Sequence, residues 1–302
     1  MIAKHRVAVG SGDVTLTVTS ASHVGHVRSV NEDALLAEPP VFAVADGMGG
    51  HAFGDRASAT AVLALNEEFD PALPTEPGHV LRAIRRANAA VRELTASAGD
   101  RVIAGTTLSG VALVLEHPDA VPRWMVFNLG DSRVYRWESA SGDADGARGP
   151  RLERVTIDHS VVQELVDAGL IDEERARTHP DRNIITRALG ASDEVEPEAW
   201  LLPAAQQQTF LICSDGLTKE LDDDRIAEVL AAAESAAEPA TAVERLLEAA
   251  LDAGGHDNVT VVLVRAEYRR AAARSDDDPG SVVEQTRDRA LSPELEDTLP
   301  RL

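Results

Sequence analysis

Val41 to Arg56 reads VFAVADGMGGHAFGDR, and the reading of this stretch decides the fold. Val41, Phe42, Ala43, Val44 and Ala45 form an unbroken apolar run with the length of a buried strand. Asp46 ends the run, where a carboxylate can leave the core and face a cleft. Gly47, Gly49 and Gly50 are expected to take positive φ angles and let the backbone approach a ligand closely. His51 follows, within reach of whatever Asp46 holds. The lysine and hydroxyl residue that complete a nucleotide-binding P-loop are missing after the glycines. An acidic group beside permissive backbone suits a hard cation better than a bare phosphate. A strand, a loop and a helix start with Asp46 as its cap would account for the same residues, and both readings stand at this point.

Composition narrows the field. A chain of 302 residues fits one large domain or two small ones and can bury a sizeable core. Its 29 Lys and Arg against 51 Asp and Glu give a net charge of −22. That balance argues against nucleic-acid binding, which needs a basic footprint, and against docking on an anionic membrane. Phosphorylated substrates stay open to an acidic protein if bound cations reverse the field locally. Cys213 is the only cysteine, so no intramolecular disulfide forms, and its apolar setting TFLICSD suits a buried thiol better than a nucleophile. The opening MIAKHRVAVGSGD lacks the long apolar core of a signal peptide, and no run of about 18 apolar residues occurs. A cytoplasmic protein without a membrane span is expected.

From the opening stretch the pattern extends both ways. Residues before Val14 read as a ragged lead-in, and Val14 to Ser20 alternates as a half-buried strand. A loop with Arg28, Asn31, Glu32 and Asp33 leads to the strand that ends in Asp46. Helices are expected from Asp55 to about Phe69 and from about His79 to Ala98, the second with Val80, Leu81, Ile84, Ala87, Val91 and Leu94 on one stripe. Thr106 to Glu116 reads as one strand, and Arg123 to Trp137 as two strands joined by a tight turn at Gly130-Asp131. ESASGDADGARGP reads as a mobile hairpin loop; its DADG opens like a calcium loop, but the closing glutamate is absent. Short helices fill 160–189, an insertion among strands. Thr209 to Ser214 is a buried strand ending in Asp215-Gly216. Two helices follow, about Asp223 to Glu234 and Thr241 to Asp252, then a last strand from Val259 to Arg265. The polar, mixed-charge residues 267–302 read as a disordered tail.

Asp46, Asp131, Asp215 and Asp257 each stand at a strand end or strand-connecting turn with glycine close by. Separate turn caps would explain them one at a time. Convergence in one cleft would be costly without cations, because like charges that close cannot all ionise. All-oxygen ligands completed by water suit Mg²⁺ or Mn²⁺, and the cysteine clusters or paired histidines of a zinc site are missing.

Seven motifs then occur in one order: RSVNED at 28–33, VADGMGGHAFGD at 44–55, GTTL at 105–108, NLGDSRVYR at 128–136, DHS at 158–160, SDGL at 214–217 and HDNVTVVLV at 256–264. On these the chain resembles the metal-dependent protein serine/threonine phosphatases of the bacterial PPM (PP2C) type. The resemblance covers about 14–266, taken as the catalytic domain, with 160–189 as the family's flap beside the active site. It implies an α+β fold: a four-layer α/β/β/α sandwich of two antiparallel sheets flanked by helices.

The resemblance also implies roles. Asp46 would bridge two Mn²⁺ or Mg²⁺ ions and the Gly47 carbonyl would ligate one of them. Asp215 and Asp257 would complete the second ion's ligands, and Asp131 with Asp215 would hold a third, weaker ion. Glu32, Asp33 and Asn258 would act through water. Arg28 would grip the substrate phosphate, since a guanidinium fork matches two phosphoryl oxygens as a lysine cannot. His51 would be the general acid, while His159 and His256 would orient loops. The implied reaction is hydrolysis of phosphoserine and phosphothreonine by metal-activated water, with a Ser/Thr kinase and its targets as partners and a monomer as the working form. The intact acidic positions favour catalysis over a silent phosphoprotein-binding module on the same fold.

Overall fold

Residues 2–49, 53–98, 104–117, 120–139, 149–235 and 239–271 are described by the structure, a computed structural model. Gly50 and His51, the DADG of the hairpin loop, and the tail from residue 272 lie outside the described residues.

The strand β4 (Val41–Gly49) shows how the layers arise. Val41, Ala43 and Ala45 pack against Ala61 and Leu65 of α1 (Gly54–Asn66) and Ile84 and Val91 of α2 (Pro77–Ala98). Phe42 and Val44 turn the other way, into a cluster shared with Val14, Leu16, Val262 and Val264. A strand with helices on one face and a sheet on the other must be apolar at every position, so alternation disappears from its sequence. β6 (Leu108–Val114) behaves alike, sending Leu108, Ala112 and Val114 to the helices and Val111 and Leu113 to the opposite sheet.

One sheet has the order β10 (Glu198–Pro203), β7 (Arg123–Leu129), β6, β4, β3 (Asp33–Glu38), with β5 (Ala104–Thr106) paired to the end of β4. The other runs β1 (Ile2–Val9), β2 (Gly12–His23), β12 (Val259–Arg270), β11 (Gln207–Cys213), β8 (Arg133–Glu138), β9 (Arg151–Arg154). All these pairings are antiparallel. Leu211, Cys213, Val261 and Leu263 face outward onto α5 (Asp215–Thr218), α6 (Asp223–Ser235) and α7 (Pro239–Ala253) through Leu217, Ile226, Leu230 and Leu246. The described residues therefore form an α+β four-layer sandwich, helices–sheet–sheet–helices. Full burial of Phe42, Phe127, Phe210 and Trp124 contributes at about 1.5–3 kcal/mol for each large side chain.

Three local readings change. The lead-in is a strand: β1 pairs with β2 from Ile2↔Thr19 to Val9↔Gly12, and Val7 and Val9 enter the inter-sheet core. Lys4, His5 and Arg6 hid it, because an edge strand tolerates polar side chains where a central one does not. β12 continues past Arg265 to Arg270, since β2 offers it partners as far as Gly12. The strand expected over 106–116 is interrupted at Thr107, whose backbone and hydroxyl are drawn to Asp46.

The 160–189 insertion carries α3 (Val161–Asp167), capped by Ser160 accepting from Gln163 N at 3.3 Å, and α4 (Glu173–Thr178), capped by Asp172 accepting from Arg175 N at 2.8 Å. Neither helix buries a residue. The insertion is tied down at its ends, through Ser160↔Ile185 and Thr106↔Leu189.

Candidate metal centre

Asp46 and Asp33 are direct cross-strand partners of β4 and β3, so both carboxylates leave the same face at the same end of the sheet. Thr107 pins the Asp46 backbone: its hydroxyl accepts from Asp46 N at 2.9 Å and its N–H donates to Asp46 O at 2.9 Å. Asp131 stands in the β7–β8 turn, which Gly130 enters at a φ of 104°. That turn is held by His159, whose N–H donates to Gly130 O at 2.9 Å and whose Nδ1 accepts from Gly130 N at 3.2 Å. Asp215 opens α5 directly after β11, and Asp257 immediately precedes Asn258 and β12. The strand order of both sheets brings these ends together.

Their proximity shows in the charge balance. Burial, then Asp215, Asp33, Asp131 and Asp257 in turn, hold the Asp46 carboxyl well above the usual carboxylate range. Burial followed by Asp215 and Asp158 pushes Asp131 up to about 8. Asp33 rises to about 6, burial and the neighbouring Asp215 and Asp257 outweighing the Ser214 hydroxyl that donates to it at 2.8 Å. Glu32 is also raised, by burial first, against the opposing pull of Arg28. Asp33 Oδ1, Asp131 Oδ1 and Asp215 Oδ1 are buried without a hydrogen-bond partner. Buried acceptors left open in this way favour a positive charge between them.

Two side chains already answer part of that demand. The Arg28 guanidinium grips Asp257 as a fork, Nε to Oδ1 at 3.0 Å and Nη2 to Oδ2 at 3.0 Å. Lys219 Nζ lies 2.5 Å from Asp215 Oδ2 and 3.2 Å from Asp257 Oδ2. Lys219 escaped the sequence reading, although its place four residues after Asp215 on a helical turn was a usable signal. Among the described residues, no three His, Cys, Asp or Glu side chains stand together at metal-ligand geometry.

Other expectations are redrawn. Asp46 does not cap a helix, since α1 begins beyond it with Phe53 at the N-cap. Gly47 does not take positive φ; β4 continues through it, and glycine is required because a Cβ there would lie 2.1 Å from Gly54 O and 2.6 Å from Glu32 O. The Asn258 amide, expected to act through water, is spent on protein: Nδ2 donates to Val24 O at 2.9 Å and Val30 O at 3.0 Å, and Oδ1 accepts from Glu32 N at 2.8 Å. It fastens the loop carrying Arg28 and Glu32. Arg133, within the GDSR motif, forks Asp158 of the DHS motif, with Nη2 to Oδ2 at 2.7 Å, and so secures the start of the insertion. His256 pairs with Glu220, Nδ1 to Oε1 at 2.8 Å. A cleft of about 510 Å³ between α6 and α7, lined by Arg225, Glu228, Arg245 and Asp252, contains none of the carboxylates above.

No family model matches the chain. Individual relatives do. It is 32% identical over 253 residues to the serine/threonine phosphatase stp of Listeria monocytogenes, covering 80% of this chain and 93% of that one. The chain belongs to the bacterial PPM (PP2C-type) serine/threonine phosphatase family. Another PPM relative, the serine/threonine protein phosphatase PstP of Mycobacterium tuberculosis, is 37% identical over 255 residues; the match takes in 83% of this chain but only 45% of PstP, so the chain spans about half that relative's length. Among solved structures, the catalytic domain of PstP in complex with two manganese ions superposes with a TM-score of 0.70 at 35% identity, covering 84% of this chain and all of that one.

The residues of this PPM-family chain fit such ions. Every donor at the strand ends is an oxygen, three of the buried ones lack hydrogen-bond partners, and divalent charge placed among the raised carboxyls would favour their ionised form.

Proposed function

We propose that this chain hydrolyses phosphoserine and phosphothreonine in proteins with two Mn²⁺ or Mg²⁺ ions, opposing a Ser/Thr kinase. The observation that carries the reading is the meeting of Asp33, Asp46, Asp131, Asp215 and Asp257 at one end of the sandwich, with three buried oxygens left unpartnered. Asp46, the Gly47 carbonyl, Asp215 and Asp257 would hold the core ions. Asp131 with Asp215 offers a third, weaker place, and Glu32 and Asp33 act through water. When bound, the ions supply the charge that makes hydroxide available near neutral pH and neutralises the phosphoryl oxygens.

The chain's own residues do the rest. Arg28, about half exposed, is free on its outer side to leave Asp257 and fork two phosphoryl oxygens. Asn258 keeps the Arg28 loop in register with Asp257. His51 is assigned the general acid on its motif alone. The exposed α3–α4 insertion is the flap that selects substrate, as loops on a rigid scaffold commonly do. Residues 14–266, with the strand β1 that the sheet adds, make up the catalytic domain, and the protein works as a monomer in the cytoplasm. No helix among the described residues is long and apolar enough to cross a membrane.

A phosphothreonine peptide with Mn²⁺ tests the reaction, and Asp257→Ala tests the site. Phosphate release that chelator abolishes, and that drops at least 100-fold in Asp257→Ala, is expected. Release at the chelated background, or an Asp257→Ala variant at wild-type rate, rejects the assignment.

A further inference from the structure

Lys219 is the feature the proposed reaction does not use. α5 is a single turn, and Lys219 N donates to Asp215 O at 2.8 Å, which sets the lysine directly beside Asp215. Its ammonium meets Oδ2 of both Asp215 and Asp257, while about a third of the side chain stays exposed. Asp257 is thereby occupied at both oxygens: Oδ1 takes Arg28 Nε and Asn258 N, and Oδ2 takes Arg28 Nη2 and Lys219 Nζ. On the Asp46 side the pattern differs. Buried oxygens without a hydrogen-bond partner occur on both sides, at Asp33 Oδ1, Asp131 Oδ1 and Asp215 Oδ1, but neither Lys219 nor Arg28 reaches Asp46 or Asp33 by an ion pair.

We propose that Lys219 is a resident counter-cation that competes with metal at the Asp215–Asp257 half of the centre. In the metal-free chain it neutralises these two carboxylates and keeps the strand ends from repelling one another. For an ion to take Asp257, the Lys219 ammonium must give up Oδ2 and turn toward solvent along its exposed side. The backbone bond to Asp215 O keeps its Cα where it is, so one positive charge remains near the incoming ion and weakens its binding. The half of the centre at Asp46 and Asp33 carries no such competitor and fills first. A cation fixed to the chain thus grades the two places, and the weaker one responds to the metal concentration around it.

This inference rests on the metal-dependent reading above, and the experiment separates the two. Mn²⁺ uptake is measured by calorimetry on the full chain for wild type, Lys219→Met, Lys219→Gln and Lys219→Arg. Melting of each protein in chelator is followed by circular dichroism. The expected result is a weaker-site dissociation constant at least tenfold lower in Lys219→Met and Lys219→Gln. Lys219→Arg, which keeps the charge, should stay within threefold of wild type. In chelator the two neutral variants should melt below wild type, which a merely structural lysine would not combine with tighter metal binding. Lys219→Gln retains a donor to Asp215 and carries the test if Lys219→Met does not fold. Wild-type uptake with unchanged constants in both neutral variants overturns this inference alone. If no protein takes up Mn²⁺, the metal reading and this inference both fail.

Discussion

Replacing Asn258 by alanine isolates what holds the Arg28 loop against the site. The residue is 5% exposed, and its side chain makes three hydrogen bonds, to Val24 O, Val30 O and Glu32 N. Alanine leaves two carbonyls and one N–H without these partners, beside a half-buried loop that water can partly reach. At a net of about 1 kcal/mol per bond, with some solvation recovered, the loss comes to about 2–4 kcal/mol. For a domain of this size that lowers the melting temperature by about 4–10 °C. The measurement is a thermal melt in chelator, joined to amide hydrogen exchange at Glu32. Exchange at Glu32 N should accelerate, since Asn258 Oδ1 is its acceptor, while Gly47 N keeps Glu32 O at 3.1 Å and stays protected. A melting temperature within about 1 °C of wild type, or unchanged protection at Glu32, would refute the clamp.

Two more expectations concern the centre and the core. Asp131, pushed up to about 8 from an ordinary 3.8, favours the proton-bound folded state, so its contribution to metal-free stability is full below 3.8 and fades as pH rises through about 8. In chelator, Asp131→Asn should therefore melt progressively higher than wild type as pH is raised from 5 to 9; a difference that does not change with pH counts against the buried-carboxylate account. Gly110→Ala would set a Cβ 2.3 Å from Phe42 O and 2.6 Å from Phe127 Cζ between helices and sheet, costing at least about 1–3 kcal/mol. A urea midpoint equal to wild type would contradict that packing.

Much of this protein was legible in the chain itself. VFAVA and FLIC, apolar at every position, mark strands covered on both faces, because only a strand between two layers has no polar side. The Asp-Gly strand endings located Asp46 and Asp215, the Gly130-Asp131 turn located Asp131, and the motifs pointed to the family and the four layers. The edge strand β1 was missed because its solvent side is charged and its two buried valines come late. Gly47 was legible as essential but for the wrong reason: close approach of Gly54 and Glu32 carbonyls, and not a left-handed turn, excludes a side chain. VADGMGGH names its aspartate but not its neighbours. That Asp46 faces Asp33 follows from the β3–β4 register, and that it meets Asp131, Asp215 and Asp257 follows from strand order across two sheets. Local periodicity carries no information on either, since it reports which face a residue takes and not which distant strand lies beside it. Only the tertiary structure could station Lys219 and Arg28 on those carboxylates, because burying like charges together makes nearby cations the cheapest partners in the metal-free chain.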